Sequence, residues 1–121
     1  MVIDDDMGVL DLLGTVLAEA GYEPALMVRS DGVPERVLKE KPDLILLDIL
    51  MEPKHGMEVL ESLSRLERRP PVILISAAVK GLPEMGNIAR ALGCYDFIEK
   101  PFDIDELLEK VQSALRVSTQ G

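Results

Sequence analysis

Charged side chains follow three of the apolar runs in this chain, each at the place where a buried strand would end. Asp48 closes the central run, Asp4 and Asp5 follow the first, and Lys100 follows the last. The carboxyl ends of the strands of an open parallel sheet converge on one crevice, which is where such folds bind ligands. Carboxylates and one lysine gathered there indicate a site for a divalent cation and a phosphoryl group.

The charges of this cluster favour Mg²⁺. Asp4, Asp5 and Asp48 repel one another, and burial strengthens the repulsion. With Lys100 the cluster carries −2, which one Mg²⁺ neutralises, and Mg²⁺ accepts carboxylate, water and phosphate oxygens together. The alternative is that Asp4 to Asp6 cap a helix and Asp48 ends a strand in a turn. Capping does not require three strands to agree, so we favour the metal site.

Two further side chains belong to the same predicted edge. Lys100 precedes Pro101, which disfavours a helical conformation at the lysine, and its ammonium can reach a phosphate oxygen. Ser76 ends the fourth predicted strand and is followed by the small residues Ala77 and Ala78. A hydroxyl there can donate a hydrogen bond to phosphate. Lys100 alone would be equally compatible with a solvated lysine before a turn, and Ser76 alone is a weak signal.

The bulk composition restricts the class of protein. The 121 residues suffice for one domain with its own core. The chain has 13 basic and 22 acidic residues, a net charge of −9, which disfavours direct binding to nucleic acid. The single cysteine, Cys94, fits packing in a reducing compartment, and His55 is expected to be a solvated loop residue. With no apolar run long enough for a membrane span, we expect a soluble, cytoplasmic domain.

Short apolar runs alternate with helical patterns, which predicts successive βα units and a parallel sheet. We expect one domain over residues 1–117 and a tail or linker over 118–121. The predicted strands are Val2–Asp5, Pro24–Val28, Leu44–Asp48, Val72–Ser76 and Tyr95–Glu99. The predicted helices are Met7–Ala20, Pro34–Lys41, Gly56–Leu66, Pro83–Leu92 and one that starts after Asp103.

Five motifs together resemble the receiver domain of two-component response regulators, the CheY-like superfamily, from the first strand to the final helix. They are Val2-Ile3-Asp4-Asp5, Leu46-Leu47-Asp48, Gly56, Ile75-Ser76-Ala77 and Lys100-Pro101-Phe102. The resemblance implies a flavodoxin-like fold. That fold is a three-layer α/β/α sandwich around a five-stranded parallel sheet with strand order 2-1-3-4-5.

The resemblance also implies a metal site and a phosphoacceptor. Asp48 would accept the phosphoryl group. Asp5, Asp48 and the backbone carbonyl of Leu50 would bind Mg²⁺ directly, and Asp4 would act through bound water. Lys100 would contact the phosphoryl oxygens.

A switch is implied as well. Ser76 would contact the phosphoryl group and move towards it, and Phe97 stands at the aromatic switch position and would turn inward. The fourth helix, fifth strand and fifth helix would then change their arrangement.

The implied partner is a histidine kinase or a histidine phosphotransfer protein, whose phosphohistidine donates the group. The switched face would meet an output domain or a second copy of the chain. The domain would catalyse only its own phosphorylation and dephosphorylation, so it is not an enzyme in the usual sense. The alternatives are a pseudo-receiver that never takes phosphate and, less favoured, a small Mg²⁺-dependent phosphatase that forms an aspartyl phosphate.

Some positions depart from the usual receiver pattern. Glu52 stands where proline is common, with Pro53 after it. Leu50 and Ala78 are apolar where polar residues often deliver the attacking water, which predicts slow loss of phosphate. Phe97 lacks the hydroxyl of the more usual tyrosine, and the first strand starts later than the family's usually does.

Overall fold

Strands and helices alternate along the chain in a computed structural model that describes residues 1–51, 55–76 and 83–120. The strands are β1 (Val2–Ile3), β2 (Leu26–Met27), β3 (Ile45–Asp48), β4 (Val72–Ser76) and β5 (Cys94–Glu99). The helices are α1 (Met7–Glu19), α2 (Val33–Glu40), α3 (Gly56–Ser64), α4 (Pro83–Ala91) and α5 (Ile104–Gln120). The predicted α/β class is confirmed.

The strands form one parallel sheet in the order β2-β1-β3-β4-β5, as predicted. The register sets Ile3 beside Leu47 and Asp48 beside Ile75. Ser76 lies opposite Glu99, the residue before Lys100. The residues that follow β1 and β5 therefore lie at the same edge of the sheet as the last residues of β3 and β4.

Side chains alternate between two apolar layers, one on each face of the sheet. Leu46, Ile73 and Ile75 pack with residues of α1 and α5, whereas Leu47 and Leu74 pack with residues of α2, α3 and α4. Both faces of the central strands are thus buried, as their uniformly apolar sequence requires. This packing makes the three-layer sandwich and holds the strand ends in fixed positions. Within the described part of the chain, no helix is both long and apolar enough to cross a bilayer.

Aspartates begin two of the helices. Oδ1 of Asp6 accepts hydrogen bonds from the backbone N–H of Gly8 at 2.8 Å and of Val9 at 3.3 Å. Oδ1 of Asp103 accepts from the N–H of Asp105 at 2.8 Å, as predicted for a helix cap. The capping alternative is therefore correct for Asp6, which begins α1.

The ends of several elements differ from the predicted positions. β1 stops at Ile3 because Asp4 turns back on the chain and accepts from the N–H of Asp6. α3 ends at Ser64, two residues before the predicted end. The next two N–H groups bond to carbonyls three residues back rather than four, from Arg65 to Ser62 and from Leu66 to Leu63. α5 continues to Gln120 through the predicted tail, because its sequence contains no glycine or proline to stop it. The domain boundary at residue 117 remains a prediction.

Gly56 closes the segment between β3 and α3 against the end of β3. Its N–H donates to the carbonyl oxygen of Ile49 at 2.6 Å. A β-carbon at Gly56 would lie 2.4 Å from the carbonyl oxygen of Asp48 and 2.6 Å from Cα of Ile49. Both neighbours are backbone atoms that no side-chain rotation can move, so only glycine permits this approach.

We predict that Gly56→Ala lowers the free energy of unfolding by about 1–3 kcal/mol, because the new methyl group overpacks the backbone that carries Asp48. Gly86→Ala on α4 is the matched control. Its β-carbon would meet Phe97 Cζ at an ordinary 3.9 Å. We expect that variant to be unchanged or more stable by up to about 1 kcal/mol. Urea denaturation of both variants measures the difference, and equal stabilities would contradict the role given to Gly56.

Candidate metal and phosphoryl site

The site forms where four strands end. Asp4 follows β1, Asp48 is the last residue of β3, and Ser76 is the last residue of β4. Lys100 follows β5, and its backbone N–H donates to the carbonyl oxygen of Ser76 at 3.1 Å. The strand register therefore brings together residues separated by up to 96 positions in the sequence.

Lys100 binds two carboxylates at once. Its Nζ lies 2.9 Å from Oδ2 of Asp4 and 3.4 Å from Oδ2 of Asp48. The Asp4 side chain is fully buried, and those of Asp48 and Lys100 are 7% and 24% exposed. One ammonium group thus holds together two aspartates that water scarcely reaches.

The second oxygen of each of these carboxylates binds a backbone N–H. Oδ1 of Asp4 accepts from Asp6 at 2.9 Å, and Oδ1 of Asp48 accepts from Leu50 at 3.2 Å. Each donor lies two residues after its carboxylate, so the chain turns immediately after both strands. The turns fix the orientation of the carboxylates and direct their Oδ2 atoms towards Lys100.

The pKa of Asp48 is raised from its ordinary 3.8 to about 6, chiefly by burial and then by the nearby Asp4 carboxylate. The charge of Lys100 and the Leu50 N–H act in the opposite direction and only partly offset this rise. The charge of Lys100 is therefore not enough to stabilise the ionised carboxylate of Asp48 fully. Its ionised form would be stabilised by a bound cation.

The pKa of Lys100 lies above its ordinary value. Burial by itself lowers it, but the hydrogen bond to Asp4 and the charges of Asp48 and Asp4 outweigh that effect. The lysine therefore stays charged in the site. It is available as a permanent cation for any anion that binds beside Asp48.

Three carboxylates are close enough to share one metal ion. Asp4, Asp5 and Asp48 each offer an oxygen, and these oxygens all lie within 4.8 Å of one another. Two of the side chains are buried and Asp5 is exposed, so the cluster opens to solvent on the Asp5 side. Hard oxygen donors in this number fit Mg²⁺, which keeps several waters in proteins.

The structure brings together four of the predicted site residues, Asp4, Asp5, Asp48 and Lys100. Ser76 is buried at the end of β4, one strand away from Asp48. Phe97 lies on the α4 side of the sheet, half-buried. Their contact with a phosphoryl group and the metal contact of the Leu50 carbonyl remain predictions. Glu52, Pro53, Ala77 and Ala78 lie outside the described residues.

His55 lies in the loop directly before α3, as expected, but it is not fully solvated. His55 is half-buried at the start of α3, where its Nδ1 accepts from the N–H of Met57 at 3.1 Å. It is the cap of that helix. The signal in the sequence was its place directly before Gly56 and an apolar helical pattern, although histidine is not among the usual capping residues.

Comparison with known proteins identifies the family. The family model for the response regulator receiver domain matches residues 1–112. The chain belongs to this family. Receiver domains generally bind Mg²⁺ at an acidic pocket, and the cluster of Asp4, Asp5 and Asp48 is a pocket of that kind. They partner with histidine kinases in signalling.

Solved receiver structures are similar to this chain over nearly its whole length. The receiver domain of NtrX from Brucella abortus is 31% identical, with a TM-score of 0.84, and the match covers 95% of this chain and 96% of that one. A CheY-like receiver protein from Methanospirillum hungatei is 25% identical, with a TM-score of 0.90, covering 98% and 94%. These matches agree with the flavodoxin-like sheet order described above.

Longer regulators contain a similar domain. The transcriptional regulatory protein DltR of Streptococcus agalactiae is 29% identical over 119 residues. That match covers 98% of this chain and 52% of DltR, so the receiver spans about half the length of this relative. The relatives are regulators rather than classical enzymes.

We predict that Asp48→Asn stabilises the metal-free domain at pH 8. The raised pKa means that the folded state binds a proton at Asp48 more tightly than the unfolded state does. The stability of the wild type therefore falls as the pH rises from about 4 through about 6, by up to about 3 kcal/mol. The asparagine variant escapes this loss, so the two proteins should differ at pH 8 and converge near pH 4.

Denaturation at several pH values, with and without Mg²⁺, measures this difference. Saturating Mg²⁺ should stabilise the wild type more than the variant and so reduce the gap between them. Asp11→Asn, an exposed change on α1 outside the cluster, should alter stability little. An Asp48→Asn variant less stable than the wild type at pH 8 without metal would disprove the repulsion argument.

Proposed function

We propose that this chain is the phosphoacceptor receiver of a two-component phosphorelay in the cytoplasm. Asp48 takes a phosphoryl group from the phosphohistidine of a histidine kinase or a histidine phosphotransfer protein in a Mg²⁺-dependent reaction. The observation that carries the proposal is the Lys100 ammonium, 3.4 Å from Asp48 and 2.9 Å from Asp4, with the Asp5 carboxylate beside them.

The reaction is an in-line displacement at phosphorus. An oxygen of Asp48 bonds to phosphorus while the bond from phosphorus to the donor's imidazole nitrogen breaks, and the bonding electron pair stays on that nitrogen. Lys100 stabilises the negative charge on the transferred oxygens. Positioning and electrostatics supply most of the catalysis in such transfers.

The residues that would hold Mg²⁺ are Asp5, Asp48 and the backbone carbonyl of Leu50, with Asp4 acting through bound water. The ion supplies positive charge that offsets the carboxylates and the incoming phosphoryl oxygens. Two carboxylates, a dianionic phosphoryl group on Asp48, the dication and Lys100 together carry a charge of about −1. Such a site can hold an acyl phosphate without strong repulsion.

Phosphorylation would bias a two-state arrangement of the α4-β5-α5 face. Ser76 and Lys100 would contact the new phosphoryl oxygens, and both stand at strand ends beside the site. Phe97 lies three residues before Lys100 on β5 and would turn inward as Ser76 moves. The switched face would then meet an output domain or a second copy of the chain.

The test is to incubate the protein with Mg²⁺ and a small acyl-phosphate donor and to measure acid-stable, base-labile label. We expect the wild type to be labelled and Asp48→Asn to remain unlabelled. Lys100→Met should lower the labelling rate by about 100-fold, the usual cost of removing one transition-state donor. Lys39→Met, an exposed change on α2, is the matched control and should label normally. An unlabelled wild type would favour the pseudo-receiver alternative.

We also expect the aspartyl phosphate to be lost slowly, because Leu50 cannot orient an attacking water. Leu50 is 58% exposed and lies two residues after Asp48, to which its N–H is bonded. Leu50→Gln should shorten the lifetime of the phosphate by supplying a polar side chain. Leu38→Gln, on α2 and 61% exposed, is the control and should not. The decay of label after removal of the donor gives the rates, and a wild-type half-life of seconds would contradict this expectation.

A further inference from the structure

The ring of Phe97 lies against one face of α4. The Cζ of Arg90 stands 5.6 Å from the centre of the ring, within the range of a cation–π interaction. Gly86 lies four residues earlier, on the same face of the helix. A β-carbon there would be 3.9 Å from Phe97 Cζ. The ring thus packs beside a glycine while a guanidinium covers its face.

The backbone of Phe97 is held separately, by α5. Nζ of Lys110 donates to the carbonyl oxygen of Phe97 at 2.7 Å. The same ammonium lies 3.3 Å from Oδ1 of Asp96 and 3.7 Å from Oε1 of Glu106. The N–H of Phe97 donates to that oxygen of Asp96 at 2.7 Å. Both backbone polar groups of Phe97 are therefore occupied, and none of these contacts holds its ring.

α4 therefore contacts the ring of Phe97, whereas α5 contacts its backbone. The α5 lysine fixes the strand, and the α4 arginine contacts the part that can rotate.

We propose that Arg90 is a positioning residue that holds the Phe97 ring against α4 and so opposes an inward turn of the ring, which would separate it from the guanidinium. This proposal rests on the proposed function, in which Phe97 turns inward on phosphorylation. A ligand that favours the inward state must work against the Arg90 contact, and coupling of this kind is reciprocal. Removing the contact therefore strengthens the binding of a phosphoryl mimic.

The size of the effect follows from the usual strength of an exposed cation–π pair, which corresponds to about a two- to five-fold change in an equilibrium constant. We expect Arg90→Met to bind beryllofluoride, a phosphoryl mimic, about two- to five-fold more tightly in the presence of Mg²⁺. Loss of a positive charge by itself would weaken the binding of an anion. The predicted direction is thus opposite to the simple electrostatic one.

The experiment uses the full chain labelled with ring-¹³C phenylalanine. The chain contains two phenylalanines, Phe97 and Phe102, so the spectrum has two sets of ring signals, which Phe102→Leu assigns. Titration with beryllofluoride and Mg²⁺ gives both the dissociation constant and the response of the Phe97 ring. Even without ligand, Arg90→Met should move the Phe97 signals towards their ligand-bound positions.

Two variants separate positioning from a general structural effect. Arg90→Lys keeps a cation and should restore binding close to that of the wild type. Arg65→Met, at the exposed end of α3, removes the same charge and should not tighten binding. Unchanged or weaker binding by Arg90→Met, in a wild type that binds and moves Phe97, would overturn this proposal alone. A wild type that does not bind beryllofluoride would overturn the proposed function as well.

Discussion

The repulsion between two buried aspartates is the constraint on which the rest of this structure depends. Asp4 follows β1 and Asp48 ends the neighbouring strand β3, where water scarcely reaches them, and Lys100, which follows β5, binds both. Buried charges of one sign are costly unless they are paired, so β5 must place Lys100 there. The pairing leaves the cluster negative, and burial together with the Asp4 charge raises the pKa of Asp48.

The fold meets this constraint by holding the backbone of the strand ends in place, which in turn positions the charged side chains. The apolar layers on both faces of the sheet hold the strands, and the parallel register brings the ends of β1, β3 and β5 to one edge. Backbone N–H groups then orient the carboxylates of Asp4 and Asp48. Gly56 completes the arrangement, because its lack of a β-carbon lets α3 start against the backbone of Asp48. Each of these elements supports the position of a charge.

β5 connects the charged cluster to α4 and α5, the helices that we propose take part in the switch. Lys100 is at its end, and Phe97, three residues earlier, contacts α4 through its ring and α5 through its carbonyl oxygen. Lys100 is therefore linked to both helices by a short stretch of one strand. β5 is an outermost strand of the sheet, with β4 on one side and no strand on the other among the described residues. That position suits the change of contacts that we propose for β5, because the central strands are paired on both sides.

The sequence by itself determined the alternation of strands and helices, the resemblance to a receiver domain, and the identity of the clustered charges. These follow from local patterns, such as apolar runs that end in Asp48 or precede Lys100, and such patterns are legible without coordinates. The sequence could not predict that Asp6 caps α1 while Asp4 turns inward to Lys100, because three consecutive aspartates look alike until the chain bends. Nor could it predict that His55 caps α3 or that Arg90 covers Phe97. Those contacts depend on how helices dock on the sheet, and only the tertiary structure decided them, since packing sets the distances between residues that are remote in sequence.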